Sequence, residues 1–452
     1  MLALWLLTLL CGCAQPAPQP AADPSSPPPP ATSVTQPAAQ GAQPNPTQPA
    51  VATVTSATAS APTAAPTTAA APTNASTAAP ISVWLAAPED RSAAMAAWLA
   101  ATARAGGIEL RVTAMSSDGL VARMAALKLG GDAPPDAIVG SEDDLALLQH
   151  DGAIVPLGGG PPDSALLPAT VIGATRDGVR WGVPLAARGG LLLFGNRRFV
   201  AALPATTDAL IADARRQVND EHYGLVAGWA EARWFAAYVH GFGGALYDAS
   251  GTPTLDTPAV RSAIDLLRAM RTAGPPPPSS YAQGNRLFRR GGAAYALDGD
   301  WALTGYRDYT DTLDLIVAPL PQVDATGRAM VGPLGGYYLM LSQQTDAARA
   351  QTVMRLGELL SATAAQRALA SDAQLLPAQR TLLADVAVLG NPALAALAQS
   401  ALEAPGIPPR DGVRCAWAAV SARLPDVILG DTRAADAPAA MQQQAMTCLG
   451  NS

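Results

Sequence analysis

The chain predicts an α/β fold in which strands and helices alternate, and three observations predict it. Beyond residue 80, short apolar runs of strand length take turns with stretches of helical period. Glycine or proline marks most of the junctions between them. The composition, 49% apolar and only 14% charged over 452 residues, is enough for a sizeable core and suggests two or three domains. The same numbers exclude other classes. A net charge of −7 with 29 Lys and Arg argues against a nucleic-acid partner, which needs a basic face to neutralise phosphates. Four Cys and 3 His supply too few soft ligands for a zinc or iron–sulfur scaffold, so neither metal nor cofactor is expected. No apolar run approaches the roughly 20 residues that a polytopic membrane protein needs for each span.

The first element is an address. Residues 1–10 read MLALWLLTLL, too short to span a bilayer but suited to the apolar region of an export signal. Leu10-Cys11-Gly12-Cys13 resembles the lipobox of bacterial lipoproteins, which implies cleavage before Cys13 and a lipid on that residue. The absence of Lys or Arg ahead of the run departs from the pattern and points to an upstream start or to inefficient export. Residues 14–80 are almost wholly Ala, Pro, Thr, Gln and Ser, with Asp23 as their single charge. Such a segment buries too little apolar surface to offset its ordering entropy and is expected to be disordered. As a coil it would average roughly 45–50 Å end to end, a leash from the membrane surface.

The body begins with Ile81-Ser82-Val83-Trp84-Leu85, a strand ended by the turn through Pro88, Glu89 and Asp90. Met95, Trp98, Leu99 and Ala103 then fall on one helical face. Gly106-Gly107 stops that helix, and residues 108–112 alternate as a second strand. Leu120, Val121, Met124 and Leu127 mark another helix, and residues 135–140 read as a third strand. In parallel α/β sheets, ligands lie beyond the carboxyl ends of the strands, which directs attention to Glu89 and Asp90 and to Glu142, Asp143 and Asp144. Acids at the second place also suit the first turn of a helix beginning near Leu145. Further on, Thr257-Pro258 opens a helix whose face is Val260, Ile264, Leu267 and Met270. A helix pair follows around 347–360 and 364–370.

The order of these pieces resembles the extracellular solute-binding proteins of ABC importers, in the branch that includes maltose-binding protein. The residues that carry the likeness run from Gly130-Gly131-Asp132-Ala133-Pro134-Pro135-Asp136 through Gly182-Val183-Pro184 and Phe194-Gly195-Asn196-Arg197. They continue through Gly241-Phe242-Gly243-Gly244-Ala245 and Gly299-Asp300-Trp301 to Val331-Gly332-Pro333-Leu334-Gly335-Gly336, and cover essentially 81–450. The resemblance implies a type II periplasmic-binding-protein fold with two lobes, each a mixed, mostly parallel sheet flanked by helices. One lobe would hold 81–187 and 333–362, the other 188–332 and 363–452. Arg188-Gly189-Gly190 and 332–336 would be the hinge strands. The implied function is capture of a small solute, a sugar or oligosaccharide, and its delivery to the permease subunits. The protein would be a lipid-anchored extracytoplasmic monomer.

Sugar recognition needs flat aromatic faces and planar polar groups. Trp301 and Trp417 resemble the stacking residues of that branch. Trp229 and Trp234 flank a loop in which Glu231 resembles an acidic contact and Arg233 replaces an aromatic. Arg188 likewise replaces an acid, which widens the ligand class to acidic or phosphorylated sugars. Asp300 precedes Trp301 at a strand end, and Tyr337 and Tyr338 alternate faces, so that one of them, Tyr338 in this reading, meets the cleft. Trp84, Trp98 and Trp181 read as core. Cys415 and Cys448 are the thiols left in the body, either joined as a disulfide or buried and free. Two other functions stay open: a ligand sensor subunit and a secreted carbohydrate-active enzyme. The second lacks a recognisable histidine triad or Gly-x-Ser-x-Gly, and no pair of carboxylates is marked.

Overall fold

The computed structural model describes residues 79–451 except 131–132, 278 and 431. The lipobox Cys13, nearly all of the 14–80 segment and part of the Gly130 to Asp136 motif lie outside the described residues. Among those described, no helix is long and apolar enough to cross a membrane.

Two sheets organise the body. The larger runs, edge to edge, through strands Leu376–Pro377, Val183–Arg188, Gly335–Ser342, Ala137–Ser141, Ile81–Ala86 and Leu110–Met115, with Ile154–Val155 joined to Gly335–Ser342. The smaller runs Leu315–Pro319, Leu191–Asn196, Ala293–Gly299, Tyr223–Ala227. The three N-terminal strands stand close to where the apolar runs place them, the second and third each beginning two residues later than expected. Both sheets are mixed, but "mostly parallel" is corrected by the pairings. Ile81–Ala86 is parallel to both its neighbours and Ala293–Gly299 is parallel to Tyr223–Ala227. The other ladders of the two sheets are antiparallel. The reason is the path of the chain: Gly335–Ser342 enters the larger sheet from the other sheet and runs against the strands on both its sides.

The helices follow their apolar stripes. Met95, Trp98, Leu99 and Ala103 are all buried on helix Glu89–Ala105. Thr257 caps Pro258–Arg271 by accepting from the Val260 amide at 3.3 Å, and that helix buries Val260, Ile264, Leu267 and Met270. On Ser117–Lys128 the stripe is weaker: Leu120 is enclosed, but Val121 is 45% exposed. Helices Ala347–Leu360 and Thr363–Asp372 form the expected pair.

Separate hydrophobic cores cover the two faces of the larger sheet, one around Leu85, Leu99 and Leu339, the other around Trp84, Ile138 and Tyr338. A third fills the body of the smaller sheet around Leu193, Phe235, Ile264 and Val420. A fourth is shared: Leu192, Phe194 and Leu397 from the smaller sheet's side pack with Leu167, Ala187 and Leu376 from the larger. Leu376–Pro377 and the Leu369 side chain thus join the larger sheet's side, within the stretch that the resemblance allots to the other lobe. The chain passes between the sheets at Gly189-Gly190 and again along 330–334. Gly189 has a φ of +80°, a conformation that side chains other than glycine rarely adopt. A disulfide between Cys415 and Cys448 ties helix Asp411–Leu429 to Ala437–Gly450.

Candidate binding site

The site starts from a helix cap. Ser141 ends a strand of the larger sheet and accepts from the Asp144 amide at 3.3 Å, while the Ser141 amide donates to Asp144 Oδ2 at 2.8 Å. This reciprocal box sets Glu142 at the first helical position, only 2% exposed. Its carboxylate lies against Gly335-Gly336. The Gly336 amide donates to Oε2 at 3.1 Å, and a Cβ on Gly335 would stand 2.1 Å from the carboxylate carbon. The sequence needs glycine at 335 for that close approach. Arg188, at the end of its strand, donates from Nη1 to both Glu142 oxygens at 3.0 Å and lies over the Tyr337 ring at 5.4 Å. Burial is the largest single influence on Glu142 and pushes its carboxyl up, but Arg188 and Arg233 together hold it below the usual range.

Arg233 arrives from the opposite side, in the first turn of helix Ala232–Gly241. Its Nη1 donates to the carbonyls of Gly189 at 3.2 Å and Pro333 at 3.0 Å, one on each crossing segment. Its Nη2 is 3.6 Å from Glu142 Oε1, and the guanidinium lies over the Trp417 ring at 5.1 Å. A second contact crosses in the reverse sense. Arg91, on the first helix, donates to the Asp300 carbonyl at 2.8 Å and pairs with Asp300 Oδ2 at 3.5 Å. Asp300 Oδ1 accepts from the Gly189 amide at 3.2 Å, and its own amide donates to the Gly190 carbonyl at 2.9 Å. Arg91, Asp300, Gly189, Arg233, Glu142 and Arg188 therefore form one continuous polar wall through the cleft between the sheets.

Beside the wall is a cavity of about 600 Å³, a size usual for small-solute sites. Glu142, Asp143, Leu147, His150 and Arg176 line it from the larger sheet's side. Arg233, Ile407, Pro408, Pro409, Arg410, Arg414 and Trp417 line it from the other. At its mouth Arg410 bonds Asp177 Oδ1 at 2.8 Å, from one side to the other. Asp143 is an exposed residue at the edge of this space. Desolvation first, then the neighbouring Glu142 charge, push its carboxyl up to about 6, while Arg188 and Arg233 pull against them. On the far side of the wall a smaller cavity of about 280 Å³ takes Asp90, Arg91, Asp300 and Arg307.

The structure thus brings Glu142, Asp143, Arg233 and Trp417 to one cavity and Asp90 and Asp300 to the next. Arg188 stands behind, bonded to Glu142. The remaining residues singled out from sequence are placed elsewhere. Trp229 and Trp234 are 3% and 5% exposed in the core, and the Trp234 N–H donates to the Leu297 carbonyl at 2.7 Å. Trp301 is half-buried between two cores, with its N–H on the Tyr281 hydroxyl at 2.7 Å and its ring against Gly299. That hydroxyl donates to the fully buried Asp298, which also accepts from Tyr306 and from Asn285. Tyr338 is enclosed beneath Gly173 and Gly336, and its neighbour Tyr337 is the one that meets Arg188. Asp144 serves the helix cap, and Glu231 and Glu89 are exposed at helix starts. Sequence reasoning missed His150, Arg176 and the 407–410 loop. Pro408-Pro409 just ahead of a helix was the available signal, because such a rigid turn fixes where the helix and Trp417 begin.

A sequence profile for the family described as "Bacterial extracellular solute-binding protein" matches residues 97–396. No curated protein matches the chain in sequence. Solved structures do match in fold. The maltose/maltodextrin-binding domain from Bdellovibrio bacteriovorus, bound to maltotriose, is 22% identical with a TM-score of 0.66, covering 82% of this chain and 100% of that one. A cyclo/maltodextrin-binding protein complexed with maltotetraose is 20% identical at a TM-score of 0.69, covering 82% and 97%. The maltose–maltodextrin binding protein of Alicyclobacillus acidocaldarius is 20% identical at 0.68, covering 81% and 100%.

Proposed function

The chain belongs to the bacterial extracellular solute-binding protein family and has its two-lobe fold, and on that premise we propose that it captures a sugar or oligosaccharide between the lobes and passes it to the permease subunits of an ABC importer. The observation that carries this reading is the cavity of about 600 Å³ walled from both lobes, with the Trp417 ring on one side and the Asp143 carboxyl on the other. An indole offers a flat apolar surface to the C–H face of a pyranose, and a carboxylate accepts from its hydroxyls. A solute touching both walls gains most when the lobes are together, so occupancy shifts the hinge equilibrium. The maltodextrin ligands of the fold neighbours support a glycan as the first class to try. Arg176, Arg410 and Arg414 around the mouth extend it to acidic sugars. Lipid on Cys13, with 14–80 as the leash, would keep the protein at the membrane beside its permease.

A thermal-shift series on the full chain tests this, with maltose, maltotriose and glucuronate set against spermidine and glutamate. A solute at about 100 times its Kd adds roughly 2.7 kcal/mol, which raises the melting temperature by a few degrees. The reading expects such a rise with at least one of the sugars. A rise with spermidine or glutamate alone would replace the proposed cargo.

A further inference from the structure

We propose that the polar wall is an internal lock: the protein's own ion pairs hold the two lobes together, so that a solute must displace Arg233 from Trp417 rather than simply close an open cleft. The displacement half of this rests on the sugar-capture reading; the lock itself does not.

Three features carry it. First, the wall joins the lobes in both directions, with Glu142 of one reached by Arg233 of the other and Asp300 reached by Arg91. Second, it seizes both crossing segments. Arg233 bonds the Gly189 and Pro333 carbonyls, while Asp300 and Glu142 accept from the Gly189 and Gly336 amides. The Arg233 bonds tie its helix to both crossing segments, so any movement of that helix relative to them must stretch those two bonds. Third, the carboxylates are almost wholly enclosed, with side chains 1% exposed for Glu142 and 7% for Asp300. Opening would part Asp300 from Arg91 and leave an enclosed carboxylate without its cation, whereas Glu142 keeps Arg188 of its own lobe and loses the 3.6 Å approach of Arg233. The exposed Arg410–Asp177 pair carries no such cost. The guanidinium of Arg233 meanwhile covers a face of the one indole in the cavity wall. A solute seeking that face competes with it, and its apparent affinity falls by the fraction of molecules in which Arg233 has moved away.

Amide hydrogen exchange on the full chain, followed by mass spectrometry with no solute added, tests the lock independently of what the cargo is. Glu142→Gln keeps the shape of the side chain and removes its charge. Arg91→Ala breaks the other end of the wall and serves if the first variant folds poorly. Peptides over 186–192 and 333–338 should be protected in the wild type and should exchange about tenfold faster or more in either variant. Peptides over the core strand 191–196 beyond its first residues should not change. Hinge amides that exchange freely in the wild type would overturn the proposal, as would hinge amides equally protected in both folded variants.

Discussion

Asp143 and Glu142 are adjacent carboxylates with opposite electrical fates. Glu142 points into the wall and meets two guanidiniums; Asp143 stands exposed at the cavity, where desolvation first and the Glu142 charge second raise its carboxyl against the pull of Arg188 and Arg233. The consequence is a definite pH dependence. The folded Asp143 carboxyl titrates at about 6 against an ordinary 3.8, so between these values the folded chain binds the proton more tightly than the unfolded one. Its contribution to stability is therefore greatest at low pH and declines as pH rises through 6. Asp143→Asn removes that term. Its melting temperature relative to wild type should climb from pH 4 to pH 7 and level off above; a constant difference across the range would contradict the assignment. The sequence shows that acids gather at 142–144, but not which way each points. One turn of helix separates a wall residue, a cavity residue and a capping residue. The tryptophans teach the same lesson. Trp234 and Trp417 both neighbour charged or small residues, and only packing tells that the first is core and the second lines the cavity.

At the scale of elements, the structure follows signals with strong local causes. Thr257-Pro258 starts a helix because a hydroxyl and a ring suit its first turn, and the stripe that follows is buried residue by residue. The Ser141 cap is local too, and it is what aims Glu142 at Gly335-Gly336. Strands of two residues such as Ile154–Val155 and Leu376–Pro377 leave no periodicity to read, because their pairing is decided by distant chain. The C-terminal helix pair carries its own prediction. The Cys415–Cys448 disulfide closes a span of 33 residues between Asp411–Leu429 and Ala437–Gly450. Replacing both cysteines by alanine should cost roughly 2–4 kcal/mol in guanidinium denaturation. Because Trp417 lies on the first of these helices, the variant should also bind solute less tightly. A variant as stable as wild type under reducing and non-reducing conditions would show that the bond contributes nothing.

For the whole molecule, the legible part was the order of pieces: strand, helix and glycine marks in sequence carried a family resemblance, and that resemblance implied two lobes with the chain crossing between them. The direction of the strands was less legible, since the antiparallel ladders arise where the chain returns from one sheet to the other. So was the wall through the cleft, whose members come from 91, 142, 188, 233 and 300 and meet only after the lobes do. A binding protein of this kind stands or falls on whether a guest sits in the compartment between its halves. The most direct measurement is calorimetric titration of each sugar of the thermal-shift series into the full chain and, for any that binds, into Trp417→Ala. Saturable binding by the wild type, weakened about tenfold or more in the variant as expected of a central aromatic anchor, is the result this account predicts. Equal affinity in both proteins, or no saturable binding of any of these sugars by the wild type, would contradict it.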